Sequence, residues 1–269
     1  MDDLYINYYN NPKFYEDQPI SLSEEERIKE TIKLIPEDCS SILDVGCGDG
    51  RLINRLLEEN GKTRFLRICG LDISENALMR VRTEKYLGSI ESLPFMEREF
   101  DIVLCCEVLE HLPWITFPKA VEELTRVAKN YLIISVPRNE NLKNGLVTCP
   151  HCFCSFNPCR HVRSFTLESL EKYFIEFGFI LKSYKLCYNQ EKIYPAIVYK
   201  IARYFGIIGL PSERALCPQC GYIPIRQGSQ NNLIINTNKL KFKDKLRSIG
   251  KRIIPGRKGA VIIAFFSRQ

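Results

Sequence analysis

Residues 43–50 read LDVGCGDG, and this motif is the strongest indication of the fold in the chain. The apolar run that enters it predicts a buried strand, and the apolar period over residues 51–59 predicts a helix directly after it. Gly46, Gly48 and Gly50 allow a tight turn, and without Cβ atoms they let a ligand approach the backbone. In a doubly wound sheet, ligands bind outside the carboxyl ends of the strands, so this loop is a candidate ligand site. The alternative is a glycine turn that holds no ligand.

Strand and helix patterns alternate along the rest of the chain. Apolar runs predict strands at residues 65–73, 101–106, 131–136, 179–188 and 260–267, and apolar periods predict helices at residues 74–83, 117–128 and 166–177. A helix nearer the N-terminus is predicted to begin with Ser23 as N-cap and Glu26 three residues later. Gly178 is predicted to close the helix of residues 166–177. Because strands that alternate with helices pair in parallel, we predict an α/β, doubly wound, mostly parallel sheet.

The chain organisation follows from length and composition. With 269 residues, of which 45% are hydrophobic, the chain can bury one large core, so residues 1–269 are predicted to form a single domain. Residues 1–36 form an N-terminal cap segment in this interpretation. Two stretches, 145–160 and 191–258, interrupt the alternation and are predicted inserts, and residues 260–267 supply the final strand.

An acidic residue follows the second predicted strand. Asp72 stands in GLDIS at residues 70–74, where a carboxylate can accept hydrogen bonds from both ribose hydroxyls of an adenosine. The alternative role is a helix cap, but Ser74 already supplies one. The glycine loop and Asp72 together therefore predict a nucleoside-containing ligand.

Four motifs in this order resemble those of the class I S-adenosylmethionine (SAM) dependent methyltransferases. They are LDVGCGDG at 43–50, GLDIS at 70–74, SIESLPF at 89–95 and FDIVLCCEVLEHLP at 100–113. The branch that they resemble most acts on small molecules and includes ubiquinone-type O-methyltransferases. The resemblance covers about residues 35–190 and the final strand, and it implies a seven-stranded, Rossmann-like sheet.

The resemblance also implies which residues bind SAM. It places Asp72 on the ribose and Glu107 facing the pocket, and Ile73 and Ile90 would enclose the adenine. The residues at the methionine end would be Asp44, Gly46, Gly48 and Gly50. Ser89 stands where the family often has an Asp that accepts from the adenine amino group. Either Ser89 accepts this bond, or Glu91 replaces it.

The segment around the fourth strand carries the candidate catalytic residues, His111 and Glu107. Methyl transfer to a hydroxyl needs a base, and the ordinary pKa of a histidine, near 6.5, suits His111 to that task. Glu107, Glu110 and His111 also form an E-x-x-E-H pattern, which in related enzymes holds a divalent cation such as Mg²⁺. His161 is the further histidine available. The alternative is that the segment binds no metal.

Two C-x-x-C pairs predict a structural zinc site. Cys149 with Cys152 and Cys217 with Cys220 each present two thiolates, and four thiolates make a closed tetrahedral site. A redox-active pair is the rival interpretation, which the repetition of the motif disfavours. Cys154, Cys159, His151 and His161 are nearby alternative ligands.

The charge is concentrated in one segment. The chain carries a net charge of +6, and residues 239–258 contain nine Lys or Arg and one Asp, so the segment contributes 9 − 1 = +8. Apolar residues recur at helical spacing there (Phe242, Leu246, Ile249, Ile253) and upstream (Ile193, Ile197, Ile201, Phe205, Ile208). Docking of these helices onto the domain, contact with an anionic membrane and RNA binding are the alternatives.

Three functions remain open on this reading. The first is methyl transfer to an O or N of a small-molecule acceptor, with lipid-linked and glycan precursors included. The second is RNA methylation, and the third is a zinc-stapled protein that binds SAM without catalysis. Free cysteines within apolar runs suit a reducing compartment, so we expect a cytoplasmic protein. It would be peripheral to the membrane if the basic helix binds lipid.

Overall fold

The computed structural model describes residues 6, 8–10, 15, 19–61, 64–143, 146–193, 197–198, 216–222 and 257–269. The chain divides into two compact units. The sheet unit comprises Met1–Glu140, Val162–Asn189 and Ala260–Gln269, and the cysteine unit comprises Asn141–His161 and Gln190–Gly259. The predicted arrangement of a single domain with two inserts stays a prediction.

The sheet unit is built on seven strands in the order β3-β2-β1-β4-β5-β9-β8. Their bounds are β1 Ser41–Val45, β2 Arg67–Asp72, β3 Glu84–Leu87, β4 Phe100–Cys106, β5 Ala128–Pro137, β8 Phe179–Ile193 and β9 Arg257–Arg268. The pairs β1–β2, β2–β3, β1–β4 and β4–β5 are parallel, and β9 is antiparallel to β5. The predicted mostly parallel seven-stranded sheet is confirmed.

Helices follow the strands along the chain. Their bounds are α1 Leu22–Lys33, α2 Arg51–Leu56, α3 Glu75–Leu78, α4 Thr116–Val127 and α5 Leu167–Ile175. A π-helical turn, Leu57–Gly61, extends α2, and a 3₁₀ turn, Leu109–His111, follows β4. Ser74 caps α3 through a bond from the Ala77 amide, as predicted. Gly178 has φ +78° just past α5, which confirms its role at the helix end.

Apolar side chains of the strands alternate between two cores. In β1, Leu43 and Val45 join the core that contains α4 and α5, whereas Ile42 joins the core that contains α1, α2 and α3. In β4, Val103 joins the core with α4 and α5, and Ile102 joins the core with α1, α2 and α3. Successive residues of a strand point to opposite faces, so helices cover both faces of the sheet. The doubly wound architecture follows from this two-sided burial.

Two local predictions need correction. Ser21, not Ser23, is the N-cap of α1, because its extended backbone lets its hydroxyl accept from the Glu24 amide. Ser23 lies inside the first turn. Strand β3 was not predicted, because its sequence EKYL carries two charges and three of its four residues are exposed at the sheet edge. Such a strand has little hydrophobic signal.

The described part of the cysteine unit is a small hairpin with a second turn. Strands β6, Val147–Thr148, and β7, Ser155–Phe156, pair antiparallel. The predicted apolar helix near Ile201 and the predicted basic helix of residues 239–258 lie outside the described residues, apart from a few positions at their ends. Among the described residues, no helix combines the length and apolar character needed to span a membrane.

Candidate cofactor site and cysteine cluster

A cavity opens at the carboxyl ends of β1, β2 and β4 in the sheet unit. Its walls combine glycines, apolar side chains, two tyrosines, two carboxyl groups and one histidine. The lining residues are Tyr9, Tyr15, Gly46, Gly48, Leu71, Asp72, Ile73, Gly88, Ile90, Glu107, Val108, His111 and Leu112. The structure thus brings together seven of the predicted site residues: Gly46, Gly48, Asp72, Ile73, Ile90, Glu107 and His111. Three others, Asp44, Gly50 and Ser89, are not among its lining residues.

The glycine loop shapes the floor of this cavity. Gly46 has φ +75°, and a Cβ built on it would lie 2.4 Å from Cγ2 of Val108. Its amide donates to the Leu71 carbonyl at 2.7 Å, which ties the loop to β2. Gly48 has φ +55° and open space where its Cβ would be. The loop therefore presents backbone, not side chain, to the cavity.

Asp72 is buried at the end of β2 and is held by backbone amides. One carboxylate oxygen accepts from the Gly48 amide at 2.8 Å, and the other accepts from the Ser74 amide at 2.8 Å. Burial raises the pKa of Asp72, and these amide bonds oppose that shift. The Ile73 amide bonds the same carboxylate. A carboxylate has about four lone-pair sites, so this group keeps some capacity to accept from a ligand hydroxyl.

The predicted residues outside this cavity have other positions. Asp44 lines a neighbouring cavity that shares Gly46, and burial together with the charge of Asp72 raises its pKa to about 7. Gly50 is the N-cap of α2, and a Cβ there would lie 2.9 Å from a Val81 methyl group. Ser89 stands between two lining residues, Gly88 and Ile90, and its hydroxyl accepts from the Glu91 amide at 3.4 Å.

Glu107 lines the cavity in a strained conformation. Its φ is +59°, in the left-handed region that favours glycine. Ser135 donates to one carboxylate oxygen at 2.9 Å, and Arg27 pairs with the other at 3.0 Å. These partners hold a negative charge at the cavity edge and compensate the backbone strain. Arg27 was not predicted from the sequence. The available signal was its position one helical turn before Thr31, which lies on the buried face of α1.

His111 lies on the cavity wall in the 3₁₀ turn, beside a buried carboxyl group. Its Nε2 is 3.9 Å from Oε1 of Glu110, and its ring meets the Tyr9 ring edge-on at 5.9 Å between centroids. Glu110 is fully buried. Burial, followed by the nearby charge of Glu107, raises the pKa of Glu110 well above its ordinary range.

The E-x-x-E-H residues offer two carboxyl groups and one imidazole as potential cation ligands. The donor atoms of Glu110 and His111 lie within 4.8 Å of one another, whereas Glu107 does not join this group and is paired with Arg27. A magnesium site at these residues stays a prediction.

The four predicted cysteines converge in the cysteine unit. Their Sγ atoms all lie within 4.8 Å of one another: Cys149, Cys152, Cys217 and Cys220. Two pairs approach more closely, Cys149 with Cys220 at 3.7 Å and Cys152 with Cys217 at 3.6 Å. Zinc–sulfur bonds of about 2.3 Å in a tetrahedron imply sulfur separations of about 3.8 Å. The donor set therefore fits a four-thiolate zinc ion.

Both cysteine turns have the same backbone design. The amide four residues after the first cysteine donates back to its carbonyl at 3.0 Å, from Phe153 to Cys149 and from Gly221 to Cys217. Phe153 and Gly221 both have positive φ, 61° and 70°. The His151 and Tyr222 rings stack with planes 1° apart. Burial opposes ionisation of Cys149, but hydrogen bonds from the Cys152 and His151 amides and from the Cys217 and Cys220 thiols prevail and lower its pKa to about 7. Cys149 is therefore suited to metal binding as a thiolate.

The central part of the sheet unit matches a known family. Residues 43–134 match the family model described as a methyltransferase domain. This part of the chain is similar to a methyltransferase domain. The matched residues contain the glycine loop, Asp72 and His111, so most of the residues that line the cavity lie within the matched range.

Relatives share this part of the chain. An uncharacterized protein of Methanocaldococcus jannaschii is 37% identical over 105 residues, 38% of this chain and 42% of that protein. A ubiquinone biosynthesis O-methyltransferase of Azoarcus sp. is 37% identical over 82 residues, 27% of this chain and 33% of that protein. A tRNA U34 carboxymethyltransferase of Nautilia profundicola is 35% identical over 95 residues, 32% of this chain and 29% of that protein. The match spans less than half the length of each of these relatives.

Solved structures share the fold. The complex between the Haloferax volcanii Trm112 methyltransferase activator and a methyltransferase matches with TM-score 0.54 and 14% identity, over 100% of this chain and 99% of that chain. The magnesium protoporphyrin IX methyltransferase of Synechocystis PCC 6803, with S-adenosylhomocysteine (SAH) bound, matches with TM-score 0.52 and 16% identity, over 68% of this chain and 92% of that chain. The sheet unit therefore has the Rossmann-like methyltransferase fold.

Proposed function

We propose that the protein is a SAM-dependent methyltransferase. The observation that carries the proposal is the cavity in which buried Asp72, held by the Gly48 amide, faces apolar Ile73 and Ile90. A polar anchor between a glycine loop and an apolar slot suits a nucleoside joined to an amino acid. The match to the methyltransferase domain and the SAH-bound neighbour of the same fold support this ligand.

In this proposal, Asp72 binds the ribose hydroxyls, and Ile73 and Ile90 enclose the adenine. Gly46 and Gly48 present backbone to the methionine end, and Asp44 lies beneath them in the adjoining cavity. Gly50 shapes this loop by starting α2, while Ser89 supports the turn that carries Ile90. A ligand contact for Gly50 or Ser89 rests on family resemblance alone, because neither residue lines the cavity.

SAM supplies a methyl group that the adjacent positive sulfur has already activated. The protein's main task is then to hold the acceptor in line with this group and to exclude water. His111, on the cavity wall, accepts the acceptor's proton through its imidazole as general base. The new imidazolium lies near two carboxyl groups, Glu110 at 3.9 Å and Glu107 on the same cavity wall. Glu107 acts through its charge, which Arg27 and Ser135 hold in place.

A small molecule is the acceptor that we favour, with methylation at O or N. Support comes from the ubiquinone biosynthesis O-methyltransferase relative and from the position of His111 on the cavity wall. Lipid-linked and glycan acceptors are included in this class. RNA methylation is the second candidate, and the tRNA U34 carboxymethyltransferase relative and the neighbour in complex with a methyltransferase activator favour it. Binding of SAM without catalysis is the third.

Turnover of labelled SAM against a fractionated cell extract tests these candidates. Label should appear in the small-molecule or lipid pool, and His111→Ala should abolish it. Label in RNA that ribonuclease removes would establish the second candidate. Binding of SAM with no transfer to any pool would establish the third.

We further propose that the cysteine cluster holds one structural zinc ion. The equal turns around Cys149 and Cys217 and their sulfur separations support this ion. Four thiolates leave no open coordination position, so the zinc would stabilise the unit without entering the methyl transfer.

Contact with an anionic membrane is a separate proposal that rests on sequence alone. Each Lys or Arg near an anionic surface contributes about 1 kcal/mol, which salt screens. The +8 segment of residues 239–258 is expected to bind vesicles that contain anionic lipid at low salt and to release them at high salt. Charge reversal of Lys243, Arg247 and Lys251 should abolish sedimentation with these vesicles. Absence of binding at low salt would leave a protein with a solvated basic segment.

A further inference from the structure

An N-terminal segment that the methyltransferase domain match does not include contributes two side chains to the cavity. Residues 43–134 match the family, yet Tyr9 and Tyr15 line the cavity beside Asp72 and His111. Nothing in the glycine loop or in Asp72 predicts these two tyrosines. Hydrogen bonds of Asn10 and Tyr15 to the loop after β2 hold them there.

Asn10 fixes this segment to the loop after β2. Its side-chain oxygen accepts from the Ser74 hydroxyl at 3.2 Å and from the Asn76 amide at 3.2 Å. Its backbone carbonyl accepts from the Asn76 side chain at 2.7 Å. The Asn10 amide donates to the Ile6 carbonyl at 2.9 Å, so a helical turn carries Tyr9. Three bonds from one residue to a segment 64 to 66 positions away specify one docked position.

Tyr15 shares the same anchor. Its hydroxyl forms a hydrogen bond with the Ser74 side chain, and the charge of Asp72 acts on it directly. Burial is the main cause that raises the pKa of Tyr15 above its usual range, so the hydroxyl keeps its proton and stays a donor. Ser74 therefore connects Asn10, Tyr15 and the start of α3 immediately after Asp72.

Tyr9 extends the same segment to the opposite wall. Its ring meets the His111 ring edge-on, with centroids 5.9 Å apart. The neighbouring Tyr8 is buried at 4% exposure, so the turn is packed and is not a loose end. One short segment thus reaches both the Asp72 wall and the His111 wall of the cavity.

We propose that Tyr15 is a cofactor-binding residue that covers the ribose end of the cofactor at Asp72, and that Asn10 is the positioning residue that holds Tyr9 and Tyr15 in the cavity. The inference rests on the proposed SAM site. Asn10 itself does not line the cavity, so its effect on binding passes through the tyrosines.

Calorimetry of the full chain with SAH and with 5′-methylthioadenosine tests this inference. The second ligand keeps the ribose and adenine but lacks the amino acid. Tyr15→Ala is expected to weaken both ligands by the same factor, about tenfold, because the loss is at the ribose end. Tyr15→Phe reports the share of the hydroxyl. Tyr184→Ala, at a half-exposed position on β8, is the matched control and should bind as wild type.

Asn10 is tested by loss and rescue. Asn10→Ala removes the two side-chain bonds and is expected to weaken both ligands about tenfold. Asn10→Asp keeps an acceptor for Ser74 and Asn76, so its affinity should stay within about twofold of wild type. A merely structural role would lower the melting temperature of the free protein in Asn10→Ala without this ligand loss and rescue.

The outcomes separate this inference from the proposed function. If Asp72→Ala loses both ligands while Asn10→Ala and Tyr15→Ala bind as wild type, the inference is wrong and the SAM site stands. If the wild-type protein binds neither SAH nor 5′-methylthioadenosine, the proposed site fails and this inference fails with it. Loss of SAH alone in Tyr15→Ala would place the tyrosine at the methionine end and refute the ribose assignment.

Discussion

The cofactor cavity rests on a large apolar core, whereas the described residues around the cysteine cluster bury few apolar side chains. Two extensive layers of buried apolar side chains cover the faces of the sheet below the cavity. Among the described residues of the cysteine unit, the buried side chains are those of Val147, Phe156, Leu216, Cys149 and Cys217. A cavity on a packed sheet keeps its shape without ligand. A cluster with few buried apolar neighbours is expected to depend on the proposed zinc ion for its stability.

Zinc removal should produce the largest difference between the two units. Structural zinc contributes about 10–16 kcal/mol in small zinc domains, far more than the apolar contacts of this hairpin. Cys149→Ser is expected to lose the metal and to expose the amides of residues 146–160 and 216–222, while β1 and β4 stay protected. Hydrogen exchange and elemental analysis measure this.

Cys159→Ser is the matched control, because Cys159 is exposed and lies outside the four-sulfur group. It should keep one zinc per chain. Purified protein without zinc and with four freely reactive thiols would contradict the zinc proposal.

Substitution in the glycine loop should have the next largest effect. Gly46→Ala combines a positive φ with a Cβ that would lie 2.4 Å from Val108. We expect a loss of about 2–4 kcal/mol in the free energy of unfolding, from backbone strain and overpacking together. Denaturant melts measure this loss.

Gly178→Ala separates strain from crowding in this prediction. Gly178 has φ +78°, close to that of Gly46, but nothing lies within 4 Å of its Cβ position. Its cost should be about 1–2 kcal/mol. Equal losses in the two variants would show that crowding at Val108 contributes nothing.

Removal of the ribose anchor should change binding more than stability. Asp72→Ala is expected to weaken SAH at least about tenfold, or roughly 1.4 kcal/mol, because charged hydrogen bonds to the ligand are lost. Calorimetry measures the affinity. Glu75→Ala, an exposed carboxylate three positions along the chain, should bind SAH as wild type does. Unchanged affinity in Asp72→Ala would remove Asp72 from the site.

The smallest expected effect concerns Asp101, at the other end of the strands. One of its oxygens accepts from the amides and hydroxyls of Ser40 and Ser41. Burial opposes ionisation, but these four bonds prevail and lower the pKa of Asp101 to about 2. A lowered folded-state pKa gives stability that is present above the unfolded value, about 3.9, and is lost as pH falls through 2.

Asp101→Asn should therefore remove about 1–2 kcal/mol of stability at neutral pH. The difference from wild type should shrink as the pH falls from 4 to 2. Urea melts across this range measure both statements. A constant difference from pH 6 to pH 2 would show that the stability comes from packing and not from the charge.

Local sequence patterns predicted the fold class and most of the residues that line the cavity. The alternation of strands and helices, the Ser74 cap, Gly178 and the Asp72 anchor all depend on patterns within a few residues of one another. Local patterns have periods of two and 3.6 residues or fixed turn positions, so they can be read without the rest of the chain. The first cap was misplaced by two residues because Ser21 and Ser23 compete over the same acidic turn.

The contacts between distant segments became visible in the folded structure alone. It placed Arg27 on Glu107 and Asn10 on Ser74, and it brought Cys149 within 3.7 Å of Cys220 across 71 positions. It also placed Ser89 outside the lining of the cavity, although both of its neighbours in the chain lie in it. These facts depend on packing between elements far apart in the chain and on which way one side chain turns. Neither leaves a local period in the sequence.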